Sequence, residues 1–129
     1  MRRPFLLAKV HRVIVTEADL DYEGSLTLDE DLLDAAGLLP FQKVEIYNVT
    51  RGTRLSTYLI AGPRGGGDCC ANGAAAHLCR PGDRVILAAY ADLDDEEVAR
   101  HRPRIVLVGE DNRDWRVVGT ETPFRRSAG

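Results

Sequence analysis

The side chains that could do chemistry are spread along the chain. The pair Gly24-Ser25 opens the alternating run "SLTL", and Lys9 and Arg54 are possible anion clamps. The stretches "STY" (56–58) and "NGAAAH" (72–77) add hydroxyls, an amide and small residues. A Gly-Ser pair at a strand start is usually only a turn. Two cations favour a ligand with two carboxylates, because a neutral ligand would offer no negative charge to either cation.

Other polar groups are explained better without catalysis. The histidines and the three cysteines, Cys69, Cys70 and Cys79, lack the paired spacings of a zinc site, so no metal is predicted. The cysteines are odd in number and bunched, which fits packing residues in a reducing compartment. The stretch "RGGGD" lacks the Lys-Ser/Thr ending of a P-loop and is interpreted as a mobile hairpin.

The composition indicates one globular domain spanning residues 1–129. Of its residues, 44% are hydrophobic and 29% are charged, which is too much apolar material for disorder. The net charge of -3 gives no general attraction to nucleic acid or to an anionic membrane. No apolar run approaches the roughly 18 residues of a membrane span, and no signal peptide is visible. A cytoplasmic location is therefore predicted.

Strands dominate the elements that must position the candidate residues. The run 6–16 alternates, which places Lys9 and His11 on one face with Val13 and Val15. Asp29 as an N-cap and Gly37 as a stop predict a helix at about residues 30–36.

Two strands, "KVEIYNV" and "RLSTYLIA", are predicted to form a hairpin through Gly52, which can adopt a positive φ. Simple alternation puts Arg54 and Tyr58 on one face of the second strand and Thr57 on the other.

The later stretches continue the same pattern. A short strand and one helical turn are predicted in "CCANGAAAHL", strands in "RVILAAYADL" and "RIVLVG", a short helix in "DLDDEEVARH", and a frayed tail in "TPFRRSAG". No long helix is available for the crossovers of a parallel sheet. The fold class is therefore predicted as mainly β, a small barrel with short helices.

The order of these motifs resembles one family. The segments "KVHRVIVTEADLDYEGS", "LDAAGLLPFQKVEIYNVTRGTRLSTYLIA" and "NGAAAHLCRPGDRVI" are similar to those of the pyruvoyl-dependent aspartate decarboxylases, over roughly residues 5–112. The resemblance implies a double-psi β-barrel and a cytoplasmic homotetramer with active sites between subunits. It implies decarboxylation of L-aspartate to β-alanine and CO₂ for pantothenate and coenzyme A synthesis.

The resemblance also implies that the chain is a zymogen that cuts itself between Gly24 and Ser25. The products would be a β chain of residues 1–24 and an α chain of residues 25–129. The Ser25 hydroxyl would attack the preceding carbonyl, and elimination would leave a pyruvoyl group in place of Ser25. That ketone would condense with the amine of aspartate and accept the electrons released with CO₂, without a metal or pyridoxal phosphate.

The residues that match the family's site follow from the same resemblance. Ser25 and Tyr58 would be catalytic, with Tyr58 as the proton donor, and Thr57 would also stabilise the oxyanion of self-cleavage. Substrate binding would fall to Lys9, Arg54, Thr57, Gly73, Ala74 and Ala75, and supporting roles to His11, Tyr22 and Asn72.

Three questions stay open on sequence alone. A barrel that keeps the fold but only binds a partner, or a pyruvoyl decarboxylase for another amino acid, would share many of these features. A maturation factor is a possible further partner. Tyr47 stands where the family usually has tryptophan, and this substitution keeps an aromatic ring.

Overall fold

The computed structural model of the protein describes residues 1–119. Its strands are β1 (Arg3–Ile14), β2 (Glu17–Asp19), β3 (Ser25–Asp29), β4 (Lys43–Asn48), β5 (Arg54–Gly62), β6 (Cys69–Asn72), β7 (Arg84–Leu93), β8 (Arg104–Val108) and β9 (Trp115–Gly119). The helices are α1 (Glu30–Ala36), α2 (Asp95–Arg100) and a 3-10 turn (Gly73–His77). The predicted mainly-β class with short helices is confirmed. The tail predicted at 122–129 lies outside the described residues.

All nine strands belong to one mixed sheet with the order β2-β6-β3-β5-β4-β7-β1-β8-β9. Strands β1 and β2 lie far apart in this order, yet only two residues separate them in the chain. The end of the sheet that carries β2 must therefore curl back towards β1, and Asn112, between β8 and β9, bridges the two parts by donating to the Ile14 carbonyl at 2.7 Å and to the Gly67 carbonyl at 2.9 Å. This curling agrees with the predicted small barrel.

The inside of the curl is an aliphatic core. Its fully buried side chains come from α1 and from most of the strands: Val10, Val13, Val15, Leu26, Leu28, Leu32, Leu33, Val44, Ile46, Leu59, Leu87 and Ile105. Because β3 and β5 contribute Leu26, Leu28 and Leu59, the strands that flank Gly24-Ser25 are fixed by the core.

The predicted alternation along β1 is wrong beyond His11. Val13 and Val15 are buried together with Val10, whereas the sequence pattern placed them on the face of Lys9 and His11. The pairing of β1 with β7 shifts register between Val10 and Val13, and Arg12 has a φ of 68°. An extra residue at this β-bulge reverses the facing of everything that follows it.

The first helix begins and ends as the sequence predicts. The Asp29 carboxylate accepts from the Asp31 amide at 2.9 Å, and Gly37 closes the helix with a φ of 70°. The same carboxylate accepts from the amides of Gly65 and Gly67 at 3.1 and 2.9 Å. The glycine loop predicted as a mobile hairpin is therefore tied to the start of α1.

The sequence does not predict the strand β9. The run is short, and its neighbouring residues Val117 and Val118 are both exposed, so it lacks the alternation of buried and exposed side chains that indicates a strand. It pairs antiparallel with β8 at one end of the sheet. No helix within residues 1–119 has the length and apolar character needed to cross a membrane.

Candidate active site

Ser25 is the first residue of β3 and is completely buried. It pairs with Asn72 of β6 on one side of β3. On the other side, β3 runs parallel to β5, and this pairing starts one residue later, at Leu26 and Leu59. The Gly24-Ser25 bond therefore lies where the chain enters the sheet between two strands.

A groove of about 430 Å³ opens beside this bond. It is lined by residues from three segments, namely Gly24, Leu55, Ser56, Thr57, Tyr58, Ala74, Ala75 and Leu78. Extending the register of β3 and β5 backwards by two steps puts Ser25 level with Tyr58 and Gly24 level with Thr57. The volume exceeds the needs of a small amino acid.

The edge of β5 explains why Thr57 and Tyr58 share the groove. Their side chains leave the strand on opposite faces, as predicted, because Tyr58 pairs with Lys43 and Thr57 with the buried Val44. Residues 55–58 pair with β4 alone, since the pairing of β5 with β3 begins only at Leu59. The groove runs along this unpaired edge of β5, so the consecutive residues Thr57 and Tyr58 both line it.

Gly73 presses against the backbone of the turn before Ser25. A Cβ at Gly73 would lie 2.6 Å from both the Gly24 nitrogen and the Tyr22 carbonyl oxygen. Its φ of 60° also lies in the left-handed region. Only glycine fits here, and the 3-10 turn that it starts carries Ala74 and Ala75 to the groove.

Neutral hydrogen bonds surround the Ser25 hydroxyl. The hydroxyl donates to the Glu23 carbonyl at 3.2 Å, and Oγ accepts from Asn72 Nδ2 at 3.0 Å. The same Asn72 amide group donates to Thr27 Oγ1 at 3.0 Å. These contacts hold the serine oxygen within the turn that it would attack.

The two candidate anion clamps do not line this groove. Lys9 lies on β1 opposite Ala88, three strands from β5, and three strand spacings amount to about 14 Å. Arg54 begins β5 next to the groove, and its guanidinium lies 4.7 Å from the centre of the Tyr47 ring. Within one chain, the structure thus brings together the residues predicted for cleavage but not the two cations.

Tyr47 is held in turn by Tyr90. Their hydroxyl oxygens are 3.0 Å apart, and Arg54 and Tyr47 are opposite one another in the hairpin. The hydrogen bond with Tyr90, helped by burial, raises the pKa of Tyr47 to about 12. The ring therefore stays neutral and remains a suitable face for the cation.

Of the residues predicted to support the site, Tyr22 and Asn72 lie near the groove, and His11 lies near Lys9. Tyr22 has an exposed side chain, but its carbonyl is part of the turn that Gly73 contacts. Asn72 is buried against Ser25. His11 lies on β1, where it pairs with Leu107 of β8, so it belongs with Lys9 rather than with the groove.

Sequence reasoning missed Cys70. Cys69 and Cys79 are fully buried packing residues, as predicted. The prediction is wrong for Cys70, which is half-buried and has its sulfur 3.1 Å from Asn72 Oδ1. Strand alternation in "CCAN" was a usable signal, because residues two apart share a face.

The site has the composition expected of a group made from the chain itself. Ser25 is buried beside the groove, which Gly24 lines without a side chain to fill it. Asn72 donates a hydrogen bond to the Ser25 oxygen. These residues fit a pyruvoyl group at position 25. Within residues 1–119, no three His, Cys, Asp or Glu side chains gather in an arrangement that could hold a metal ion.

Comparison with known sequences identifies the class of protein to which this chain belongs. The sequence profile of the aspartate decarboxylase family matches residues 1–114. An aspartate 1-decarboxylase of Myxococcus xanthus is 52% identical over 133 aligned residues, which cover 99% of this chain and 100% of that protein. An aspartate 1-decarboxylase of Ralstonia nicotianae is 54% identical over 113 residues, covering 88% of this chain and 94% of that protein.

A third relative extends the range of organisms. The aspartate 1-decarboxylase of Persephonella marina is 54% identical over 112 residues, covering 87% of this chain and 80% of that protein. The chain belongs to the aspartate decarboxylase family, as the sequence motifs predicted.

Proposed function

We propose that this chain is a self-processing decarboxylase that converts L-aspartate to β-alanine and CO₂. The observation that carries the proposal is the burial of Ser25 beside the groove of Gly24, Thr57 and Tyr58, in a chain of this family. The product would supply pantothenate and coenzyme A synthesis. The enzyme would act in the cytoplasm.

Maturation begins with the Ser25 hydroxyl. Its oxygen attacks the Gly24 carbonyl carbon, the C–N bond breaks, and the amide becomes an ester with a free amine on residue 25. Removal of the α proton of residue 25 then expels the Gly24 carboxylate and leaves a dehydroalanine. One water is added and ammonia leaves, which gives the pyruvoyl group. Thr57, level with Gly24 in the extended register, would stabilise the oxyanion of the first step.

A pyruvoyl group supplies an electrophilic ketone that binds the substrate amine and accepts the electron pair released with CO₂. The chain's own residues orient the substrate and move the proton. Tyr58 lines the groove, where its hydroxyl would hold the proton that replaces the lost carboxylate. Gly73, Ala74 and Ala75 would bind the substrate through a closely approaching backbone.

Lys9 and Arg54 would bind the carboxylates of the substrate. In the homotetramer that the family resemblance implies, each site would lie between subunits, and the separation of Lys9 from the groove of its own chain supports such a shared site. Arginine suits this task, since its guanidinium can donate two parallel hydrogen bonds to one carboxylate.

Intact-mass measurement of the purified protein tests self-processing. We expect two chains, residues 1–24 and 25–129, with the longer one blocked at its N-terminus. Ser25→Ala should give one chain and no β-alanine, because the ester cannot form. A wild-type chain that stays whole after prolonged warming contradicts unaided self-processing. Cleavage only after cell extract is added would assign a maturation factor.

Subunit mixing tests the shared site. Lys9→Ala and Ser25→Ala should each be inactive alone. Co-expressed, they should regain activity, since some sites would combine an intact Ser25 with a neighbour's intact Lys9. Absence of any regain in confirmed mixed tetramers would place Lys9 and Ser25 of one site on the same subunit.

A further inference from the structure

A chain of side-chain contacts reaches Ser25 from outside the groove. Cys70 and Asn72 lie two residues apart on β6, so they share a face. Across the ladder, Cys70 pairs with Thr27 and Asn72 pairs with Ser25. The Cys70 sulfur is 3.1 Å from Asn72 Oδ1, and Asn72 Nδ2 is 3.0 Å from Ser25 Oγ.

The donors and acceptors of this chain fit one arrangement. The Ser25 hydroxyl gives its proton to the Glu23 carbonyl, so Oγ is left as an acceptor for Asn72. Asn72 uses both protons of its amide nitrogen, one on Ser25 and one on Thr27. Its oxygen then faces Cys70, whose S–H is the donor that this oxygen receives.

We infer that Cys70 is a positioning residue for self-cleavage. Its thiol fixes the Asn72 carboxamide, which in turn holds the Ser25 oxygen in place for attack on the Gly24 carbonyl. Cys70 touches neither the reacting bond nor the substrate groove. The inference rests on the proposed self-processing of this chain.

The surroundings of Cys70 keep its proton available. Burial, followed by the nearby carboxylates of Glu17, Asp19 and Asp68, raises the pKa of the thiol. The thiol therefore stays protonated at neutral pH and can donate. Glu17 Oε2 is a second acceptor at 3.9 Å, but the Asn72 oxygen is much nearer.

Cleavage rates of matched cysteine variants test this role. The freshly purified precursor is incubated, and the fraction cleaved is followed by intact mass. Cys70→Ala should cleave on the order of tenfold more slowly, because the buried Asn72 oxygen loses its donor and the amide loses its orientation. Cys70→Ser keeps a donor and should stay within about twofold of the wild type. Cys69→Ala, a buried neighbour whose sulfur is not bonded to Asn72, controls for lost packing.

Alkylation gives a second test that needs no folding of a variant. At a pH high enough to deprotonate part of the Cys70 thiol, iodoacetamide forms a carbon–sulfur bond at the accessible cysteine with loss of iodide and a proton. Cys69 and Cys79 are fully buried, so Cys70 is the expected target. The alkylated wild-type precursor should cleave as slowly as Cys70→Ala, whereas treated Cys70→Ser should keep its own rate.

The outcomes separate this inference from the proposed function. A wild-type chain that never cleaves overturns both. A wild type that cleaves while Cys70→Ala keeps the same rate overturns the role of Cys70 alone. That role is also overturned if Cys70→Ser is as slow as Cys70→Ala, or if a precursor shown by mass to be alkylated at Cys70 cleaves at the untreated rate.

Discussion

Two regions of this molecule differ in how they are built. The proposed cleavage region, around Gly24-Ser25, is assembled within one chain from glycine, hydroxyl and amide groups that are mostly buried. The proposed clamp region consists of Lys9 on β1 and Arg54 on β5, the latter beside Tyr47, and its charges are half-buried or exposed. Burying an unpaired charge is costly, whereas neutral hydrogen-bonding groups can be buried once they are satisfied.

The difference separates two tasks. Self-cleavage needs a restrained turn, which one chain can supply from its own core. Recognition of a dicarboxylic substrate needs cations that the substrate can reach, and Arg54 is exposed. Variants in one region should therefore change cleavage, and variants in the other should change turnover.

Tyr58→Phe should produce the largest split between the two tasks. The ring still packs near Phe41, whose ring centre is 6.4 Å away, so the chain should fold and cleave normally. Turnover of aspartate should fall by about 10²- to 10⁴-fold, the usual contribution of a general acid. Intact mass reports the cleavage and β-alanine release reports the turnover. A variant that fails to cleave would show that the Tyr58 hydroxyl also takes part in self-cleavage.

Gly73→Ala should act on cleavage. The new Cβ would collide with the Gly24 nitrogen and the Tyr22 oxygen, so the turn would have to shift away from the Ser25 oxygen, and this misplacement should slow cleavage roughly 5- to 150-fold, equivalent to about 1–3 kcal/mol. The matched control is Gly52→Ala, which has a similar φ of 76° but no atom within 4 Å of the new Cβ. Both should lower the melting temperature, and only Gly73→Ala should slow cleavage. Equal cleavage rates would show that the contact is unimportant.

Arg54→Gln should leave cleavage intact and weaken substrate binding. Loss of a charge-assisted hydrogen bond costs about 1.5–3 kcal/mol, which is roughly 10- to 150-fold in kcat/KM for aspartate. Arg64→Gln is the control, since it removes an exposed charge that pairs with Glu30, Asp31 and Asp34 instead. Steady-state kinetics at several aspartate concentrations would separate KM from kcat. An unchanged KM would remove Arg54 from the clamp.

Tyr90→Phe should have the smallest effect. It deletes the hydroxyl that bonds to Tyr47, and one neutral hydrogen bond at an exposed site should change KM by about two- to threefold. In a Tyr47→Phe background the same change should do nothing more, because the bond is already gone. Additive effects of the two substitutions would show that Tyr90 does not act through Tyr47.

Local features of the fold could be predicted from sequence, because local rules decide them. Asp29 and Gly37 bound α1 as capping chemistry requires, and Gly52 takes the positive φ of its hairpin. The groove could not be derived in the same way. It exists because β3 starts pairing with β5 only at Leu59, which depends on how distant strands align.

The two wrong predictions, the faces of β1 and the packing role of Cys70, also arise because sequence does not show how distant strands align. The bulge at Arg12 reverses the faces predicted for the end of β1, and no residue in "HRVIV" indicates a bulge. The sequence predicts Cys70 as a packing residue, because its hydrogen bond to Asn72 becomes relevant only when β6 lies beside Ser25. The cleavage role proposed for Gly24-Ser25 rests on the order of motifs along the chain, since the pair alone is an ordinary turn.

The strand β1 gives the proposed cut an unusual outcome. Residues 3–14 are paired with β7 on one side and with β8 on the other, so the severed N-terminal piece would stay in the sheet as a bound peptide. Refolding after denaturation would then require two molecules to meet. Recovery of the mature protein should depend on its concentration, whereas an uncut chain carries its own strand.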